Sequence, residues 1–189
     1  MNPIIIKQVF KDKSFSDQKL SSKEYDSCSF INCNFSRSNF SGITFLECKF
    51  EACYFEGVLS KETSFQDVQF DGCKMVGFDF SLCNDFLFDA IYINCNLEYA
   101  IFSGFNLKNI KFKDCKLIHA DFENSDLTGV VFDKCDLSNA IFMNSKLEKS
   151  DFRTAINFTI DPENNKLNKA KFSKDNLQGL LKKYSIDFD

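Results

Sequence analysis

The chain has 189 residues, a formal net charge of −4, nine cysteines, one histidine and no tryptophan. No apolar run is long enough for a membrane-spanning helix, and Ile4-Ile5-Ile6 is too short for a signal-peptide core, so a cytoplasmic chain with reduced thiols is expected. An acidic balance without a basic stripe argues against direct binding to nucleic acid.

From the N-terminus, Ile4-Ile5-Ile6 is expected to fold over the start of the structure. A beat of five then begins: Phe10, Phe15, Leu20, Tyr25, Phe30, Phe35, Phe40, Phe45, Phe50, Phe55, Phe65, Phe70, Met75 and Phe80, broken only at Ser60. Near Cys83-Asn84 the phase moves by two residues. The beat is read as resuming at Leu87 and Tyr92 and running from Leu97 through Phe102 to Leu147 and Phe152. A helix turns about 100° per residue, so a step of five scatters side chains around its axis. In a flat strand an odd step alternates faces. Neither element gathers these rings into one core.

A second beat of small residues runs two positions earlier, including Cys28, Cys33, Ser38, Cys48, Cys53, Thr63, Cys73, Ala90, Cys95 and Ala100. Residues two apart in extended backbone point the same way, so both beats face inward and the residues between them face water. Cys33, Cys53 and Cys73 are spaced by 20, as are Cys95, Cys115 and Cys135. Four five-residue sides therefore make one turn. The expected fold is an all-β square solenoid with a corner every five residues and coils stacked about 4.8 Å apart. Its core cysteines serve as compact apolar groups. Stacked Cβ atoms at that spacing suit a disulfide poorly, since one needs about 3.8 Å. Cys83, in the phase shift, is expected to be partly exposed, and Phe86 and Phe88 fall at outward positions.

Past the repeat, Phe172 falls 20 after Phe152 and extends the last coil. Ser173 suits a helix N-cap, and Leu177, Leu180, Leu181 and Tyr184 form one apolar stripe on a short α-helix. Ile186 and Phe188 alternate as in an edge strand. This segment either caps a monomer or joins two rods, the surplus apolar surface favouring a homodimer. The whole is read as a single domain, 1–189, with repeats over about 10–172 and a capping or dimerisation segment over 173–189.

Tandem five-residue units such as Ala120-Asp121-Phe122-Glu123-Asn124 and Ser125-Asp126-Leu127-Thr128-Gly129 resemble the pentapeptide repeat family. The resemblance implies a right-handed quadrilateral β-helix. The ending, from Ile160-Asp161-Pro162 through Ala170-Lys171-Phe172-Ser173 to the Leu-rich helix and final strand, resembles Qnr-type members. These bind DNA gyrase and topoisomerase IV, many protect them from quinolones, and they dimerise through that tail. The chain lacks the long surface loops of many Qnr proteins, so the resemblance speaks for topoisomerase binding more than for quinolone protection.

Charge placed on the sides of the coil suggests where a partner binds. Residues 21–105 carry twelve Asp and Glu against five Lys and Arg, a net of −7. Glu24, Asp26, Glu47, Asp67, Asp89 and Asp126 gather on the side built on Tyr25, Phe45 and Phe65, with Glu47, Asp67 and Asp89 in one slot of successive coils and no exposed Lys or Arg before Lys108. Such a side is either a solvated face or a mimic of duplex charge that enters a basic cleft. Nothing in the sequence suggests catalysis, a cofactor or a metal. His119 points outward beside Ile118, with no inward partner for a metal or a triad, and there is no Gly-rich phosphate loop or nucleophile elbow. The function classes that remain are a topoisomerase-binding DNA mimic and an interaction scaffold for another protein.

Overall fold

The computed structural model describes residues 4–184 and 186. Residues 20 apart pair side by side in parallel register, Phe10 with Phe30, Phe30 with Phe50, and Phe50 with Phe70. The chain thus winds as a β-solenoid with little helix. Two of its sides carry regular sheets. One has four strands, Ile5–Ile6, Glu24–Asp26, Thr44–Leu46 and Ser64–Gln66. The other has seven, from Val9–Lys11 to Val131–Asp133. Parallel bridges such as Val131↔Asp151↔Lys171 and Ser14↔Asn34↔Tyr54 carry the same register to the end and around the other sides.

Ile5 pairs with Tyr25 and Ile6 with Asp26. The N-terminal isoleucines are therefore part of the first coil rather than a cap folded across it. Their five-residue phase matches Phe10, and the unmet strand edge of Glu24–Asp26 is what they satisfy.

Each corner needs a residue in the left-handed region, such as Asn32 (φ 51°), Arg37 (φ 57°) or Glu47 (φ 51°). That conformation is unfavourable for ordinary residues. It is offset by a hydrogen bond to the next coil, as from Glu47 N–H to Gln66 O at 2.9 Å.

Inside, the aromatic beat becomes a continuous stack on one side: Phe10, Phe30, Phe50, Phe70, Tyr92, Phe112, Phe132, Phe152 and Phe172. Successive centroids lie 4.8–5.5 Å apart with interplanar angles of at most 22°. Rings on adjacent sides meet edge to face, as Phe30 and Phe35 do at 5.5 Å and 71°. Each such pair adds about 0.5–1.5 kcal/mol beyond its buried area. The small slots do more than fill space. Cys53 Sγ, Ser125 Oγ and Ser145 Oγ each donate to a carbonyl of the preceding coil, those of Phe30 (3.3 Å), Phe102 (2.7 Å) and Phe122 (2.7 Å).

The irregular stretch is repaired by neighbouring rings. Ser60, which breaks the beat, is buried and donates to Asp79 O at 2.6 Å. Phe78, in a small-residue slot, approaches Phe55, Phe65 and Phe80 and occupies the space a ring at position 60 would take. Cys83 is buried, not partly exposed, and burial pushes its thiol up to about 12. Leu87 does not carry the beat either. It is exposed at φ 58°, while Phe88 turns inward against Phe65, Phe80 and Phe105. With two extra residues in the coil, either side chain can take the inward place, and the larger ring fills the gap between those aromatics.

The tail is a pair of 3-10 helices, Lys174–Leu180 and Lys182–Tyr184, not an α-helix. At three residues per turn, the expected i, i+3, i+4, i+7 stripe splits. Leu180 and Leu181 are half-buried, Leu180 against the core, whereas Leu177 and Tyr184 are exposed. Gly179 is buried where a Cβ would run into the Phe158 ring, and Ile160 N–H donates to its carbonyl at 3.0 Å. Ile186 is exposed and not in a strand, and Phe188 lies outside the described residues.

Candidate partner-binding surface

The acidic side is built by the four-stranded sheet. Glu24 and Asp26 flank inward Tyr25, and the register Asp26↔Leu46↔Gln66 brings Glu47 and Asp67 to successive corners. Both corners are left-handed, at φ 51° and 52°. The Ser27 hydroxyl donates to Asp26 Oδ1 at 2.7 Å and lies 3.4 Å from Glu47 Oε2, linking two carboxylates of adjacent coils. Asp89 precedes Ala90, which pairs with Val68, so it keeps the register beside Asp67. In that coil, however, the left-handed corner has passed to Leu87. Among the described residues, none of Glu24, Asp26, Glu47, Asp67 and Asp89 is in an ion pair.

Three features depart from the expected uncompensated face. Lys23, beside Glu24, and Lys7, at the corner one coil before Ser27, are exposed on this side, where no exposed cation was expected before Lys108. Lys49, on the adjoining side, lines a groove of about 240 Å³ together with Glu47, Asp67, Gln69 and Ile91, so a cation stands beside the acidic ladder. Asp126 is held between Lys108 at 3.4 Å and Lys146 at 3.2 Å. Burial pushes its carboxyl up, but the Thr128 hydroxyl and N–H, Lys146 and Lys108 outweigh this and hold it below the usual range. Asp126 therefore adds little to an acidic field. The pairing arises because Lys108, Asp126 and Lys146 belong to consecutive coils, with Asn106↔Asp126↔Lys146↔Lys166 in one ladder.

The acidic side continues into a basic one. Beyond the break it presents Lys108, Lys146, Lys149, Lys166 and Lys169, set against the ion-paired Asp126 and the half-buried Glu148. Between the two lies the turn Asp85–Phe88, with Phe86 and Leu87 exposed. The sequence marks Phe86 as outward, but only the structure shows that it tops a turn between two oppositely charged halves.

At the tail, the six residues expected to dimerise do not share one surface. Leu177, Tyr184 and Ile186 are exposed, Leu180 and Leu181 are half-buried, and Phe188 is not described. Tyr184 donates to Glu163 Oε1 at 2.8 Å, and Lys183 bridges Asp161 (2.6 Å) and Glu163 (2.7 Å). His119 is exposed and stacks on Tyr99 at 4.8 Å and 5°. Among the described residues, no group of three or more His, Cys, Asp or Glu is placed to hold a metal ion, and no helix is long and apolar enough to cross a membrane.

The geometry is shared with solved structures. QnrB1, described as a plasmid-mediated fluoroquinolone resistance protein, matches in one trypsin-treated variant form at 17% identity and a TM-score of 0.65, covering 99% of this chain and 100% of that one. A second trypsin-treated variant of QnrB1 matches at 18% and 0.67, covering 98% and 99%. Full-length QnrB1 matches at 18% and 0.54, covering 97% and 100%. At these identities the likeness is one of fold. No curated protein sequence matches the chain. The family description "Pentapeptide repeat region" matches residues 23–84 and 86–157, interrupted only within the turn that breaks the beat, and the chain belongs to the pentapeptide repeat family.

Proposed function

We propose that this protein is a DNA mimic that binds a type II topoisomerase, DNA gyrase or topoisomerase IV, in the bacterial cytoplasm, and modulates its susceptibility to quinolones without catalysing a reaction. The observation that carries the reading is the register of Glu24, Asp26, Glu47 and Asp67 on one side of the rod, free of ion pairs among the described residues. Duplex DNA carries one charge per about 1.7 Å. The coils of residues 21–105 span about 20 Å at the usual strand spacing. Their net of −7 is then about half the charge of a duplex that long. A cleft shaped for DNA offers the complementary charge.

The test is inhibition of supercoiling by purified gyrase, with and without a quinolone, across a salt series. Inhibition is expected to weaken steeply as salt rises. Replacing Glu47, Asp67 and Asp89 by Lys is expected to abolish it, while replacing Lys111, Lys113 and Lys134 by Glu leaves it. Inhibition by the acidic triple variant at wild-type concentration would rule out charge mimicry.

The tail supports a further part of this reading, a homodimer joined end to end. Exposed Leu177, Tyr184 and Ile186 leave apolar surface at the end of the rod. Light scattering of the intact chain and of Leu177→Asp tests it, and a monomer at micromolar concentration would end it.

A second reading, an interaction scaffold for another protein partner, is favoured by the lysines that follow the acids on the same side, since a duplex has no such reversal of sign. Absence of any effect on either topoisomerase would move the assignment to it.

A further inference from the structure

The turn that interrupts the repeat carries the most exposed aromatic ring of the described residues. Phe88 N–H donates to Asp85 O at 3.3 Å, and Phe86 N–H donates to Asn84 Oδ1 at 2.9 Å, so the turn is held in place with Phe86 and Leu87 at its apex. Phe86 is 70% exposed and Leu87 63%. The bridge Ser64↔Asn84 puts the turn on the side that bears the acidic ladder.

The position of this turn along the rod gives it meaning. Coils built on Tyr25, Phe45 and Phe65 precede it, and coils built on Leu107, Leu127 and Leu147 follow it. Glu24 and Asp26 therefore stand as far from the turn on one side as Lys146 and Lys149 do on the other. Asp67 and Lys108 flank it more closely in the same way.

We propose that this side of the rod pairs with the same side of a second copy of the chain, antiparallel, about a two-fold axis through the Phe86–Leu87 turn. An isologous contact requires a patch that is complementary to itself after a two-fold rotation. Here the rotation lays apolar turn on apolar turn. It brings the coil of Glu24 and Asp26 to the coil of Lys146 and Lys149 of the other copy, and the coil of Asp67 to the coil of its Lys108. A parallel arrangement would set like charge on like. An apolar centre flanked by charged groups is the anatomy of a protein interface. The pairing uses no tail residue, so it is independent of the end-to-end dimer. It covers the acidic side that the topoisomerase reading uses, so the two compete for that face, and sedimentation without a topoisomerase tests the pairing alone.

Sedimentation velocity of the full chain at about 100 μM tests the proposal, at low salt and at about 500 mM NaCl, where the Debye length shrinks severalfold. Association is expected at low salt and at least about tenfold weaker at high salt. Phe86→Asp is expected to abolish it. The pair Lys146→Glu with Lys149→Glu is expected to weaken it about tenfold or more, and adding Glu24→Lys with Asp26→Lys restores it by exchanging the charges. All nine native cysteines are buried. Phe86→Cys thus supplies an exposed thiol on the axis, and a short bis-maleimide is expected to join two chains through it. A monomer at low salt overturns the proposal. So does a dimer indifferent to Phe86→Asp and to the charge reversals but lost in Leu177→Asp. Circular dichroism confirms that each variant is folded; should Phe86→Asp not fold, the charge exchange and the cross-link decide.

Discussion

Asn176 Nδ2 donates to the carbonyl oxygens of Phe152, at 2.8 Å, and Ala155, at 3.2 Å, tying the tail to the last coil. Its Oδ1 accepts from Ser173 N–H at 3.0 Å, so one side chain fixes both the start of the tail helix and the carbonyls beneath it. An open solenoid end exposes such groups unless something covers them. Asn176→Ala is expected to lower stability by about 1–3 kcal/mol, the cost of leaving partly buried acceptors unpaired. Asn176→Asp is expected to be at least as harmful, because a carboxylate would face carbonyl oxygens. Urea unfolding measures both, and wild-type midpoints would show that the tail does not stabilise the rod.

The inward register predicts opposite results at neighbouring positions. Phe122 is fully buried, stacked 5.1 Å from Phe102 and 5.2 Å from Phe142. Phe122→Asp is expected to cost more than about 4 kcal/mol, since it loses a buried ring and introduces an unpaired charge. Glu123→Lys, on the half-buried outer surface, should shift the melting temperature little, because the hydrogen bond there uses the Glu123 backbone N–H and Asp121 Oδ1. A Phe122→Asp protein with an unchanged melting curve would refute the register.

Tyr92 is the one tyrosine in the long aromatic stack, and its buried hydroxyl has no hydrogen-bond partner among the described residues. Phe70 and Phe112 on either side already define the ring geometry a phenylalanine would adopt. Tyr92→Phe is expected to raise stability by about 1 kcal/mol or more, because it removes an unsatisfied polar group without changing the stack. A lower melting temperature in this variant would mean the hydroxyl has a partner, such as a buried water, that holds the coils together.

Acid should weaken the fold in a defined window. Burial pushes the carboxyls of Asp126 and Asp136 up, but hydrogen bonds from Thr128 and Ser138, with Lys146, Asn157 and the neighbouring lysines, hold both below the usual range. Asp151 is lowered first by Arg153 at 2.7 Å. A depressed folded pKa contributes stability above the unfolded value, about 3.9, and loses it as pH falls through the folded value. The melting temperature is therefore expected to be level from neutral pH to about 5 and to fall below about 4. Asp126→Asn should be less stable at pH 7 and lose less on acidification. A melting temperature unchanged down to about pH 2.5 would contradict the carboxylate contribution.

The five-residue beat and the 20-residue recurrence of Cys33, Cys53 and Cys73 were enough to derive the solenoid, its inward register and the last coil at Phe172. Every coil repeats one local geometry, so a residue's place in the beat determines whether it meets the core or water. Where two registers compete, that logic stops. Between Asn84 and Ala90 either Leu87 or Phe88 satisfies the spacing, and contact with Phe65, Phe80 and Phe105 chooses Phe88. The tail's 3-10 form was likewise hidden, because its stripe reads as α-helical until Gly179 is pressed against Phe158. Charge was legible by side but not by sign of field. Asp126 is neutralised by lysines of the coils before and after it, and Lys49 reaches the groove of Glu47 and Asp67 from the adjoining side. Electrostatic strength depends on distances between coils and around corners, which only the packed rod brings into being.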